Sequence, residues 1–158
     1  MEEIGLDGFL ADSVTAVQGK LYALGAGWNR ISVAAFPARH DRVAIGLLFR
    51  IPPGAPRRAR RFELRVLATT GELLVLGSGA QGPIERIGGE FTAGDVEEQL
   101  VPIALNLNGL PLPRPGEYRV VVSIDGRDVK TLPFRVQARA ATQRVQTASP
   151  ETGTAGYL

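Results

Sequence analysis

The sequence predicts an all-β protein, an antiparallel, immunoglobulin-like β-sandwich of roughly seven to nine strands followed by a C-terminal tail. Three observations carry that expectation. Apolar residues recur at every second position in several runs, which puts them on one face of a strand. The runs are bounded by turn-forming pairs such as Asp125-Gly126. The 158-residue chain holds 19 Gly and 11 Pro, and outside one ambiguous segment it offers no long helical stripe.

The ambiguous segment comes first. Leu6, Phe9, Leu10, Ser13, Val14 and Val17 fit a helical stripe, whereas the β-branched Val14, Thr15 and Val17 favour strand. Strand is preferred, because a hairpin between residues 8–14 and Lys20–Leu24 accounts for Gln18-Gly19 between them. Val43, Ile45, Leu47, Phe49 and Ile51 then alternate with Arg42, Ala44, Gly46, Leu48 and Arg50. Pro52-Pro53-Gly54-Ala55-Pro56 follows as a stiff loop. Phe62, Leu64, Val66 and Ala68 mark the next strand, and Thr70-Gly71 separates it from another at 72–76. Residues 95–100 read as a single helical turn capped by Asp95, ahead of a strand with Val101, Ile103, Leu105 and Leu107 facing the core. Pro111, Pro113 and Pro115 make residues 110–116 a second extended loop. Tyr118, Val120, Val122 and Ile124 lead through Asp125-Gly126 into a last strand over 127–136.

One domain is expected over residues 1–137. The remainder, 138–158, is rich in small and polar residues, with Val145, Tyr157 and Leu158 its only sizeable apolar side chains. Ordering such a segment costs on the order of 1 kcal/mol per residue. The expectation is a tail that is disordered, or that docks on a neighbouring subunit through Tyr157 and Leu158 by adding a strand to its sheet edge.

Composition excludes several chemistries. Eighteen basic residues against 16 acidic ones leave +2, a balance that does not call for nucleic acid. Without cysteine there are no disulfides, zinc–thiolate sites or thiol catalysis. The single histidine, His40, cannot build a histidine-rich metal site within one chain. No apolar run is long enough to span a membrane. The start, Met1-Glu2-Glu3-Ile4, is acidic where a signal peptide is basic. The expected setting is cytoplasmic or within a virion-like assembly, with no cofactor.

The motifs that invite function are weak. Gly77-Ser78-Gly79-Ala80-Gln81-Gly82 matches G-x-G-x-x-G, but Pro83 and Gly88-Gly89 leave no helix to meet a pyrophosphate, so a glycine-rich loop is expected. His40-Asp41 has no serine in a nucleophile elbow to act on, which makes His40 a loop histidine. Asp95, Glu97 and Glu98 lack calcium-loop spacing and read as a solvated loop. Arg57, Arg58, Arg60 and Arg61 are the sharpest charge feature, and their guanidinium forks suit carboxylate or phosphate. Nucleic-acid binding would add exposed aromatics or a reading helix, and neither is evident. These arginines are therefore expected at a solvated hairpin tip, with an acidic protein partner ranked ahead of nucleic acid. Trp28 is expected as a core or half-buried anchor beside Gly25 and Gly27. Asp12 is expected to find Lys20 across the first hairpin.

Ala11-Asp12, Gly19-Lys20-Leu21 and Leu24-Gly25-Ala26-Gly27-Trp28 carry a resemblance, continued at Gly46-Leu47-Leu48 and over residues 106–113 and 115–118. The chain resembles a family of small, uncharacterised bacterial β-sandwich proteins, mainly actinobacterial, over most of its length to Val136. The resemblance implies the fold and supplies no activity. The expected function is a non-enzymatic interaction or structural module, its partner another protein or a second copy, with a shell, filament or virion component as the concrete version. The rival expectation is a small-ligand or enzyme site built from the loops holding His40, Arg57–Arg61 and Asp95–Glu98.

Overall fold

The alternating runs become strands in two packed sheets in the computed structural model, which describes residues 3–140. In chain order the strands are β1 (Gly5–Ala11), β2 (Ser13–Val17), β3 (Lys20–Leu24), β4 (Arg30–Val33), β5 (Ala38–Ile51), β6 (Arg58–Leu67), β7 (Gly77–Gly79), β8 (Gly82–Ile84), β9 (Ile87–Ala93), β10 (Gln99–Leu112), β11 (Gly116–Ile124) and β12 (Arg127–Ala138). A three-stranded sheet runs β1-β5-β10, and a five-stranded sheet runs β4-β12-β11-β6-β9. Pairing is antiparallel throughout both, except that β4 lies parallel to β12. The chain opens in one sheet as β1, crosses, and re-enters the other as β4.

The core between the sheets is the predicted one. Ile45, Leu47 and Phe49 from β5 meet Leu64, Val66, Val120, Val122 and Phe134 from the opposite sheet, all buried. Tyr118 stacks on Phe134 and donates its hydroxyl hydrogen to the Arg114 carbonyl at 2.6 Å. This tyrosine corner pins the turn into β11 and belongs to the immunoglobulin-like sandwich. Burial pushes the phenol above its ordinary pKa, against the opposing effect of the Arg114 hydrogen bond.

Gln18 and Gly19 join β2 to β3 with φ of 50° and 74°, and Asp125 and Gly126 join β11 to β12 with 48° and 82°. Positive φ at both central residues is the turn twist that matches paired strands. Elsewhere the structure corrects the expectation. The first segment breaks at Asp12, so that Ser13–Val17 rather than 8–14 pairs with Lys20–Leu24. Residues 95–98 form an extended bend, with the Val96 amide bonded to the Asp95 side chain at 2.6 Å, and no helical turn. Residues 72–76 form no strand: Leu73 bridges to Leu67, the Leu76 amide bonds to the Ile84 carbonyl at 2.6 Å, and Leu74 is buried in the core. Leu110–Leu112 extend β10 opposite Ala38–His40 in place of the expected loop. The glycine-rich stretch forms the small β7–β8 hairpin with no helix after it. The tail beyond Ala140, with Tyr157 and Leu158, lies outside the described residues. Among the described residues there is no helix long and apolar enough to cross a membrane.

Candidate functional site

The arginine cluster divides. Arg58, Arg60 and Arg61 lie in β6 and not in a loop, with only Arg57 ahead of the strand. Inward positions of β6 are even-numbered, so Arg60 continues the row of Phe62 and Leu64 into the interior and is wholly buried. Its guanidinium donates to the carbonyls of Arg58 at 3.1 Å, Pro56 at 3.2 Å and Ala93. That ties the β5–β6 loop to the end of β9. Arg58 pairs with Asp125 at 3.0 Å. The Asp125 carboxyl is held below its ordinary range, first by the Arg61 backbone amide and then by Arg58. The four residues therefore present Arg57, Arg58 and Arg61 to solvent and use Arg60 inside.

The rival loop site does not assemble as one. Gly54 donates its amide to Asp95, which brings 95–98 beside the Pro52–Arg57 loop. His40 is at the other end of β5, opposite Leu110, half-buried and edge-on to Trp28 with ring centroids 6.4 Å apart. It sits in the strand and not in a loop. A separate cleft of about 660 Å³ lies between residues 72–78 and the end of β10. Two of its charged groups are engaged within the chain, Arg39 with the Gly109 carbonyl at 2.9 Å and Glu72 with Arg114 at 3.0 Å. No group of three or more histidine, aspartate or glutamate residues among those described is placed to hold a metal.

Sequence reasoning did not locate the most distinctive surface, the outward side of the three-stranded sheet. Its central rows pair Phe9 with Gly46 and Gly46 with Ala104, next to Leu48 and Pro102. A Cβ on Gly46 would come within 2.3 Å of the Phe9 ring, so the absent side chain lets the ring lie on the strand. Past Ala11 the chain leaves β1 and crosses this face. Ala11, Val14 and Ala44 form a second, small apolar cluster, with Leu21 and Phe9 packed against it. Asn106 on β10 clips the crossing. Its side-chain oxygen accepts the Val14 amide at 3.4 Å and its nitrogen donates to the Val14 carbonyl at 3.1 Å.

The root of the β2–β3 hairpin is built from the motif residues. The Asp12 amide bonds to Leu24 at 3.0 Å and the Gly27 amide to Leu10 at 2.9 Å. Gly25 has φ of 61° and carries the Asp12 carboxyl where a Cβ would sit, at 2.2 Å. Any other residue there would be strained and would displace Asp12. Lys20 is paired opposite Val17 at the tip, whereas Asp12 is at the root, so the two do not form the expected pair. Trp28 follows as the expected half-buried anchor, edge-on to Phe134. Beyond the root the hairpin projects. From Thr15 to Leu24 only Leu21 is sheltered, and Val17, Tyr22 and Leu24 are 46%, 58% and 73% exposed. At the far end of the same face Leu100 is 48% exposed, and Val96 in the β9–β10 turn that leads to it is 81% exposed.

Residues 7–137 match the model of a family of unknown function, DUF6941. No curated protein matches. An alkylpurine DNA glycosylase from Pseudomonas fluorescens, solved with DNA containing an abasic site analog, is similar over 83% of this chain and 30% of its own, with 13% identity and a TM-score of 0.43. A β-glucosidase from Listeria innocua is similar over 86% of this chain and 16% of its own, with 13% identity and a TM-score of 0.45. An immunoglobulin-like protein from Pseudomonas aeruginosa is similar over 85% of this chain and 96% of its own, with 12% identity and a TM-score of 0.36. The chain thus spans less than a third of the glycosylase and about a sixth of the glucosidase.

Proposed function

We propose, from the premise that the chain belongs to this family of unknown function, that it is a non-enzymatic protein-interaction module, and that its docking surface is the outward face of β1-β5-β10 together with the β2–β3 hairpin. One observation carries the reading. A firmly rooted hairpin holds Val17, Tyr22 and Leu24 out into solvent, at the margin of an apolar sheet face. Exposed apolar groups gathered on one side of a domain mark an interaction site, and tyrosine is enriched in interface cores. Clipping the hairpin at Asn106 and Gly25 lowers the ordering cost that binding would otherwise carry.

The resemblance to a mainly actinobacterial family bears on the same element, since Asp12, Gly19–Leu21 and Leu24–Trp28 are the hairpin, its root and the link to β4. A component of a shell, filament or virion is the concrete form of this reading. A second contact through Tyr157 and Leu158 of the tail belongs to it as well. The exposed Arg57, in the loop beside residues 94–98, would then serve at a rim, where arginine reads acidic groups of a protein partner, while Arg58 and Arg61 belong to the opposite sheet.

The test is a photoreactive residue placed at Tyr22 or, as control, at Arg119 on the opposite outward face, followed by irradiation in the cell. Protein adducts from position 22 and none from position 119 are expected. No adduct from position 22, or equal adducts from both, would overturn the reading.

A further inference from the structure

We infer that the partner of this face is a second copy of the chain, bound about a twofold axis that lays the hairpin of each copy over the β9–β10 turn of the other. The inference rests on the docking-face reading and names its occupant.

The face has two ends. Ala11, Ala44 and Asn106 mark the hairpin end, and Gly5, Arg50 and Leu100 the other. Six rows of the ladder separate them, about 20 Å at the rise of a β-strand. Of the six large hydrophobic side chains exposed among the described residues, Val17, Tyr22 and Leu24 belong to the hairpin at one end, Leu100 to the other end, and Val96 to the turn that leads into it. Between them Phe9, Leu48 and Pro102 are half-buried on the sheet.

The ends are alike in apolar character and opposite in charge. Lys20 at the tip is the only charged residue of the hairpin over 13–24, and the Asp12 carboxylate is turned back onto Gly25 at the root. The opposite end carries Asp95, Glu97 and Glu98, three carboxylates against the one exposed guanidinium of Arg57 in the adjoining loop, so the turn stays net acidic. The nearby Arg50 is held by Asp7 at 2.6 Å. Two copies meeting with like ends together would set Lys20 against Lys20 and the acidic turn against itself. A twofold axis through the middle of the face exchanges the ends. Each Lys20 then faces Glu97 and Glu98 of the other copy, each hairpin covers Val96 and Leu100, and every contact is made twice. Charge complementarity of this kind selects orientation and suppresses the wrong one. Edge-to-edge association of β10 is the poorer alternative, because Pro102 and Pro111 interrupt that strand and offer no N–H to a neighbour.

The experiment measures solution mass by sedimentation equilibrium for the full chain and for exposed charge variants, with circular dichroism as the check on folding. The wild type is expected to reach twice the 16.9 kDa of one chain. Lys20→Glu should weaken the dimer by about tenfold, as should Glu97→Lys with Glu98→Lys, since each change acts at both symmetric contacts. The triple variant, with both ends reversed, should recover the wild-type constant to within a few-fold. A monomer at every accessible concentration, a dimer indifferent to both reversals, or reversals that fail to rescue one another would overturn the inference. If the purified chain is monomeric while position 22 still crosslinks to a different protein, the second copy is the wrong occupant and the docking face stands. A dimer that forms while position 22 crosslinks nothing removes both.

Discussion

On the outward side of the five-stranded sheet, Arg65 grips both oxygens of Asp128 at 2.9 and 2.8 Å, and Arg86 pairs with Glu63 at 3.1 Å. In the same layer Val121 and Ser123 are only 4% and 6% exposed, because long side chains lay their methylene stems across small neighbours while their charged heads stay in water. The outward side of the three-stranded sheet has no such cover. Its ion pair, Asp7 with Arg50, stands at one end, and its middle is Phe9, Leu48 and Pro102. The first face is complete within the monomer. The second leaves large apolar groups half-covered and raises a hairpin above them, the contrast on which the proposed docking face rests.

The sharpest way to break this comparison is within β6, where one step along the strand separates an interior arginine from an exposed one. Arg60→Met keeps length and apolar stem but deprives the carbonyls of Pro56, Arg58 and Ala93 of their donor. Only the Ala93 contact is fully buried, and a buried polar group left without a partner costs ~1–3 kcal/mol, so a loss of about 2–3 kcal/mol in urea unfolding is expected. Arg61→Met on the outward side should change stability by no more than about 0.5 kcal/mol. Equal effects of the two would mean that the inward and outward sides of β6 do not differ as described.

That same arginine shows what the sequence made legible. The period of two from Phe62 through Ala68 puts residue 60 on the inward row, so Arg60 was readable as buried; charge made it look like a surface group. The core rows of β5, β10 and β11 and the turns at Gln18-Gly19 and Asp125-Gly126 were likewise readable, because alternation and positive φ are local properties. The outward face was not. Ala44, Gly46, Leu48 and Ala104 occupy the weaker half of their alternations, and their meaning depends on Phe9, Val14 and Leu21 arriving from distant sequence. The break at Asp12 was hidden for the same reason. It is fixed by Leu24 and Gly25 on the returning strand, not by anything near residue 12 in the chain.

A smaller effect sharpens the contrast on the apolar side. Asn106→Ala removes both bonds to the Val14 backbone. Each part-buried hydrogen bond is worth about 0.5–1.5 kcal/mol net, so a global loss of about 1–2 kcal/mol is expected. The more telling readout is local. Amide exchange should accelerate over β2 and β3 while β11 and β12 stay protected, since the hairpin is held to the sheet at few points. Uniform acceleration across the domain would show that the hairpin is not a separately rooted element.

The smallest effect belongs to the charged face and depends on pH. Arg65 holds the Asp128 carboxyl below its ordinary range, chiefly through their hydrogen bonds. A carboxyl with a folded pKa below its unfolded value stabilises the protein above the unfolded titration range, near about 4, and loses that contribution as pH falls through the folded pKa. Asp128→Asn should therefore cost stability at neutral pH and cost progressively less as the solution is acidified toward the folded pKa. The neutral-pH cost is held to less than about 1 kcal/mol by solvent screening of an exposed pair, Asp128 being 56% exposed. Urea melts of both proteins at neutral and acid pH would show the two curves converging as pH drops. Curves that stay parallel would mean the pair contributes nothing through ionisation, and that Val121 and Ser123 are sheltered by the stem of Arg65 alone.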